Sequence, residues 1–392
     1  MKPKERMLAA FELREPDRIP AAELGIEGAI EKAIIGSLEE VKGRVEDGEA
    51  GVWLDKIDNP FWGVKRSKQA AEVYIRNLYK VVKRLDLDAL VFSVHSLMPF
   101  KQIYIDENNW IDEWAAIWGK GMDGTGNMRV WYRGGTLKTE EDMERFKEDG
   151  WPDPYELGAI DTMVHAIKYC QRLAGDELMI IPFIHDGWEF ALMARGFESF
   201  LMDLYKNPRL NEELLEATTR FNLELAKAIV DECKVEIIGG SDDIADARGP
   251  YMPPRLFYKH ILPYYKNYVQ SLKKKGIFVM RHTDGNILPI LDGFVEAGLD
   301  ILHPIEPVMD IGVVKEKYGD KLCLCGHIDC VQTLVFGTPE DVTNEVKQAI
   351  KKAAPGGGYI LGSSNSLHSS CKIENILAMF EAGKKYGCYP IE

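Results

Sequence analysis

Eight short apolar runs, each ending in glycine or a polar residue and separated mostly by helical patterns, constrain this chain more than any other feature. They span Ile19 to Leu24, Ala89 to Val94, Met179 to Ile184, Glu236 to Gly240, Ile277 to Arg281, Ile301 to Ile305, Leu322 to Gly326 and Tyr359 to Gly362. Runs this short and this apolar read as strands covered on both faces, and eight of them alternating with helices predict an α/β protein of the (β/α)8 TIM-barrel class. A length of 392 residues suits one such barrel with insertions, so residues 1–392 are expected to form a single domain. Between the strands, Thr338-Pro339-Glu340-Asp341 offers a cap, a first-turn proline and first-turn acids ahead of Val342, Val346 and Ile350. Asn207-Pro208 opens another helix, and Pro355-Gly356-Gly357-Gly358 breaks the chain before the last strand.

Residues 104–133, after the second strand, depart from the alternation. They carry Trp110, Trp114, Trp118 and Trp131, four of the eight tryptophans, with Gly119 and Gly121 among them, and predict a hairpin-like excursion. An insertion leaving the carboxyl end of a barrel strand lies over the pocket mouth, which makes this segment a candidate lid. A peripheral hairpin with its own aromatic core is the alternative. Trp53 and Phe61-Trp62 form a second aromatic cluster in an earlier connection.

In a barrel the catalytic groups follow the strands. Here the third run is followed by His185-Asp186, the fourth by Ser241-Asp242-Asp243 and Asp246, the fifth by His282 and Asp284. The sixth ends at Glu306, the seventh at His327 and Asp329, the eighth at Ser363-Ser364-Asn365. Acids converging on one rim repel one another unless a cation or protons neutralise them. Zinc is a candidate, because imidazole, carboxylate and thiol donors are all available, although the dense spacing of HExxH is absent. Each residue also has a structural alternative: His282 as a hydrogen-bonded rim histidine, Asp284-Gly285 as a turn, Asp242 and Asp243 as caps, Glu306 as a loop brace, His327 and Asp329 as turn formers.

A net charge of −14 with no Lys/Arg-rich tract argues against a nucleic-acid backbone or an anionic membrane as partner. The amino-terminal stretch has no apolar signal-peptide core and no run approaches a membrane span, so a soluble, cytoplasmic protein is expected. No GxGxxG, Walker or GxSxG pattern supports a dinucleotide, P-loop or serine-hydrolase site. Seven cysteines, with Cys323-x-Cys325-x4-Cys330 lacking paired CxxC spacing, read as buried or idle thiols.

Dispersed motifs in order resemble the uroporphyrinogen decarboxylase superfamily. Arg14-Glu15-Pro16-Asp17-Arg18-Ile19-Pro20 resembles its R-x-PDR-x-P opening, and Pro253, Phe257 and Pro263 its SPE-x-F helix entry. Gly326-His327-Ile328-Asp329 resembles GN-x-D, and Ile373-Glu374-Asn375-Ile376 the LEN-x helix start. Where the decarboxylase branch carries an Arg-rich motif for tetrapyrrole carboxylates, this chain reads Glu23-Leu24-Gly25-Ile26-Glu27-Gly28, without arginine.

The other branch comprises corrinoid-dependent methyltransferases with a zinc motif similar to H-x-C-G plus a later Cys. His282-Thr283-Asp284-Gly285 has Asp in place of that first Cys, and Asn365 falls where the second would be. Harder donors suit an oxygen substrate better than a thiol. The resemblance therefore implies a methyltransferase that takes a methyl group from a methoxylated aromatic to cob(I)alamin, free or on a separate corrinoid protein, since no DxHxxG marks a corrinoid domain in this chain. On that reading His282, Asp284 and Glu306 hold the metal, and Asp242, Asp243 and His327 orient or protonate the leaving group. Trp110, Trp114, Trp118, His185 and Asn365 then line the substrate site, the tryptophans by stacking on the aromatic ring. Methyl transfer involving a thiol, a methylamine or a methanol-derived group, a decarboxylase-like lyase, and a non-catalytic ligand-binding barrel are the alternatives.

Overall fold

The computed structural model describes residues 1–39, 64–93, 103–122, 128–148 and 150–391. Val94, Trp53, Phe61 and Trp62 lie outside the described residues.

Seven of the eight expected strands form one parallel sheet in sequential order: Ala89–Ser93, Met179–Ile184, Ile237–Ser241, Phe278–His282, Ile301–His303, Cys323–Ile328 and Tyr359–Ser363. These are called the second to eighth barrel strands. The first run, from Ile19, closes the ring without becoming a regular strand, because Pro20 has no N–H to give to a ladder. Its carbonyl accepts from Leu361 N at 2.9 Å, Ala22 N donates to Leu361 O at 3.0 Å, and Ala21 O accepts from Asp88 N at 2.8 Å on the other side. The seam is finished by a side chain: Glu23 accepts from Ser363 N at 2.7 Å and from Ser363 Oγ at 2.8 Å.

Period-two alternation fills the barrel. Ala89 and Val91, Met179, Ile181 and Phe183, and Cys323 and Cys325 point inward with Ile237, Met280, Ile301 and Ile360. The amino-terminal helix Pro3–Phe11 plugs the bottom, adding Met7, Ala10 and Phe11 to the same cluster. Beneath it, the PDR stretch is structural. Arg18 donates to the fully buried Asp88 at 3.1 Å, and Arg6 bonds both Asp88 and Asp17. The helix Pro339–Ala353 starts as its sequence predicts, with Thr338 Oγ accepting from Asp341 N at 3.2 Å and Asp341 returning a bond to Thr338 N at 2.9 Å.

The tryptophan-rich insertion is larger than the hairpin expected. It forms a four-stranded antiparallel sheet, Ile103–Tyr104, Asn109–Ile111, Ala116–Met122 and Met128–Gly135, in sequential order. It docks on the helix Trp188–Arg195 that follows the third barrel strand: Tyr132 Oη donates to Met193 O at 3.0 Å and Leu137 N to Ala194 O at 3.1 Å. No helix among the described residues is long and apolar enough to cross a membrane. The seven cysteines are free, and six are buried.

Candidate active site

The fifth strand ends in His282, and the four residues from there each serve a different neighbour. His282 faces inward beside His303, its register partner on the sixth strand, and the two Nδ1 atoms lie 2.9 Å apart. Thr283, fully buried, accepts from Ile244 N at 3.0 Å and so ties this loop to the one after the fourth strand. Asp284 turns back toward the strand ends, 3.4 Å from His282 Nε2, and its own N–H donates to Asp243 at 2.9 Å. At Gly285, φ is +82° and a Cβ would stand 2.5 Å from the Asp246 backbone, so only glycine allows the two loops to touch.

Two clusters result, with ligand-type atoms in each lying within 4.8 Å of one another. The first joins His282, Asp284 and Asp243, the last 3.7 Å from His282 Nε2. Burial, then the carboxylates of Asp243 and Glu306, push Asp284 up to about 7, against the pull of the Asn365 amide. That amide donates to both Asp284 oxygens, at 2.8 and 2.7 Å. Burial holds the His282 ring below its ordinary range, with the nearby positive charge of Arg281 acting the same way and Asp243 opposing. Glu306, expected as a ligand, accepts from Gly285 N at 3.1 Å and stands behind the cluster, while Asp243 occupies the third donor position. Burial and the charges of Asp243 and Asp329 raise its carboxyl as well.

The proton that Asp284 is driven to keep beside the His282 nitrogen is what a divalent cation would replace. One nitrogen and two oxygen donors fit zinc or a harder metal, and no cysteine belongs to the cluster.

The second cluster joins His185, Glu189 and Asp242. Asp242 is fully buried. It accepts from Trp188 N at 2.8 Å and bonds His185 Nδ1, while Glu189 lies 3.2 Å from the same nitrogen. Burial works against a proton on His185, yet Asp242 and Glu189 outweigh it and hold the ring up to about 10. This cluster thus carries its own cation, the imidazolium. Asp242, expected among the groups acting on the leaving group, lies behind His185 and is bonded to it. Outside the barrel wall, Arg281 bonds Asp186 and the Asp242 carbonyl at 2.8 Å, its guanidinium 4.9 and 4.5 Å from the Tyr265 and Phe294 rings. It clamps the loops after the third and fourth strands.

The remaining expected residues separate. His327, at φ +97°, is bonded through Nδ1 to Ile305 O at 2.9 Å and belongs to neither cluster. Trp114 is 2% exposed between Trp151, Phe190 and Phe221, Trp110 is buried, and Trp118 donates its indole N–H to Asp112 at 2.6 Å. The faces of Trp110 and Trp114 are used up in packing, which leaves little of them for a ligand, while Trp118 is half-buried. The aromatic faces nearer the clusters are Phe190, 4.8 Å from the His185 ring, and Tyr251, which burial and then the Asp243 and Glu189 charges push up to about 12. Sequence reading missed these, together with His303, Glu189 and the Arg281 clamp. His303 was hidden inside an apolar run, and only the parallel register brings it to His282. Glu189 had one available signal, its four-residue spacing from His185.

The model of the uroporphyrinogen decarboxylase (URO-D) family matches residues 134–386. Among curated relatives, uroporphyrinogen decarboxylase of Methylococcus capsulatus is 28% identical over 245 residues, covering 59% of this chain and 66% of that protein. The methylcobamide:CoM methyltransferase MtbA of Methanosarcina acetivorans is 27% identical over 256 residues, covering 64% and 70%. The chain thus spans about two thirds of the length of these relatives. A solved methyltransferase from Methanosarcina mazei superposes over 98% of this chain and 99% of its own with a TM-score of 0.70 at 18% identity, which shows the shared barrel fold. The family match takes in well over half the chain and every residue of both clusters, so the chain belongs to the uroporphyrinogen decarboxylase family.

Proposed function

We propose that this chain is a corrinoid-linked methyltransferase that moves the methyl group of a methoxylated aromatic to cob(I)alamin, presented free or by a separate corrinoid protein. The observation that carries the reading is the donor set at the ends of the fourth and fifth strands: His282, Asp284 and Asp243, nitrogen and oxygen only. The kinship with methylcobamide:CoM methyltransferases supports the class of reaction, and the missing thiolates favour an oxygen rather than a sulfur at the site. The like-charged rim disfavours the polyanionic substrate of the decarboxylase relatives, which would need cationic partners there.

A divalent cation, zinc first among candidates, would be held by His282, Asp284 and Asp243 and would supply electrophilic polarisation of an ether oxygen. The chain itself supplies the rest. His185, kept protonated by Asp242 and Glu189, offers a proton to the departing phenolate, and Phe190 and Tyr251 present ring faces to an aromatic substrate. Asn365 holds Asp284 in place, and the four-stranded insertion, with Trp110, Trp114 and Trp118 in its body, stiffens the lid side of the pocket through its dock on Trp188–Arg195.

The test is to incubate the protein with guaiacol and related methoxylated aromatics and cob(I)alamin, and to follow methylcobalamin by its absorption together with the phenol released. Both products are expected, with a loss of at least about 100-fold in His282→Ala, the size typical of removing an essential electrophilic or acid–base group. Methylcobalamin formed only from a thiol, an amine or methanol would move the assignment to those donors, and CO2 released from a carboxylate substrate without cobalamin would replace it by a lyase.

A further inference from the structure

Resting on the metal-binding part of that reading, we infer that His303 is a positioning residue that sets which nitrogen His282 presents to a bound cation. A ligating histidine needs a partner for its second nitrogen, and most find a carboxylate, a backbone carbonyl or water. Among the described residues, the partner of His282 Nδ1 is a second imidazole, at 2.9 Å.

Two neutral rings joined Nδ1 to Nδ1 share one proton, so the tautomer of each fixes that of the other. When His282 Nδ1–H donates, His282 Nε2 is left with a lone pair toward Asp284 and Asp243, at 3.4 and 3.7 Å, which is the form a cation requires. His303 then carries its remaining proton on Nε2. In the reverse arrangement, His282 Nε2 carries a hydrogen and cannot ligate.

His303 is built for the accepting role. It is 1% exposed, and the parallel register pairs it with His282. Its carbonyl accepts from Thr283 N at 3.0 Å, so its backbone is pinned to the same loop that carries Asp284. Its Nε2 is buried with no hydrogen-bond partner among the described residues, and His303 borders a small cavity inside the barrel. Apart from His303 itself, Glu23 is the charged side chain in an otherwise largely apolar lining. The two rings lie at 30° to one another with centroids 5.1 Å apart, and both are buried.

The experiment measures Co²⁺ and Zn²⁺ affinity by competition with a chromophoric chelator, and the visible absorption of the Co²⁺ protein, for the whole chain and two variants. His303→Asn keeps a hydrogen-bonding atom near the Nδ1 position, whereas His303→Leu fills the space without one. The expectation is a 10–100-fold affinity loss and an altered Co²⁺ spectrum in His303→Leu, with His303→Asn within about threefold of the parent, the range seen when outer-shell partners are removed. Circular dichroism and melting identify a variant that fails to fold, in which case the comparison of His303→Asn with the parent decides alone, tenfold loss counting against. Equal loss in both folded variants, or none in His303→Leu, overturns the inference while methyl transfer by the parent keeps the proposed function standing. A parent that binds neither metal overturns the inference and the metal-binding part of the proposal together.

Discussion

Within His282-Thr283-Asp284-Gly285, three side chains reach a barrel histidine, a neighbouring loop and a carboxylate cluster, and the glycine makes a bare backbone contact. Such division of labour makes the residues non-interchangeable in different ways. Gly285→Ala puts a methyl group against Asp246 at φ +82° and is expected to cost about 2 kcal/mol, of the order of other strained positive-φ sites. Urea unfolding would show it as a lower midpoint at an unchanged slope; an unchanged midpoint would mean the two loops are free to part. Asp284 and Asn365 were legible as a pair only through the family pattern, in which both replace cysteine. Their mutual bond was not, because chain separation hides contacts between strand ends.

Among the elements, the insertion is tied to the barrel by aromatic packing. Trp114 touches Phe221 edge-on at 5.4 Å and lies 5.9 Å from Phe190, which in turn flanks His185. The sequence pointed to the aromatic residues of this segment and left open whether they face a pocket or the segment's own core, since composition records how much apolar area a segment has and not which way it faces. Trp114→Ala is expected to destabilise by about 3–5 kcal/mol, as large buried aromatics do when truncated. Limited proteolysis should then cut within residues 103–135 before the barrel itself. Cleavage that begins in the barrel would mean the insertion docks by other means.

For the molecule as a whole, eight apolar runs announced the barrel, because strand burial on both faces is a one-dimensional signal. The unequal quality of its closure was not announced. Pro20 marks the weak strand in hindsight, but the compensating Glu23 to Ser363 bonds cross 340 positions of sequence. Burial pushes Glu23 up to about 8, against the pull of Ser363, so folding favours its protonated form. The sign follows: its contribution is whole below the unfolded carboxyl range near 4.5 and is lost as pH rises through about 8. Melting temperatures between pH 5 and 9 should fall with pH more steeply in the parent than in Glu23→Gln. Parallel curves would mean that Glu23 ionises freely inside the barrel.

A ring of strands closed at one join by a proline-interrupted segment has a preferred place to breathe. Brief local openings, the kind that expose amides to solvent exchange, are drawn to the least hydrogen-bonded edge of a sheet. One side of that join is the eighth strand, held to the first run by two backbone bonds and by Glu23, and its chain runs on from Ser363 to Asn365 and so to Asp284. Each such opening would loosen the grip on Asp284 without disturbing His282, which belongs to the intact side of the ring. The turnover of the seam and the fidelity of the carboxylate's position are therefore one motion seen from two ends.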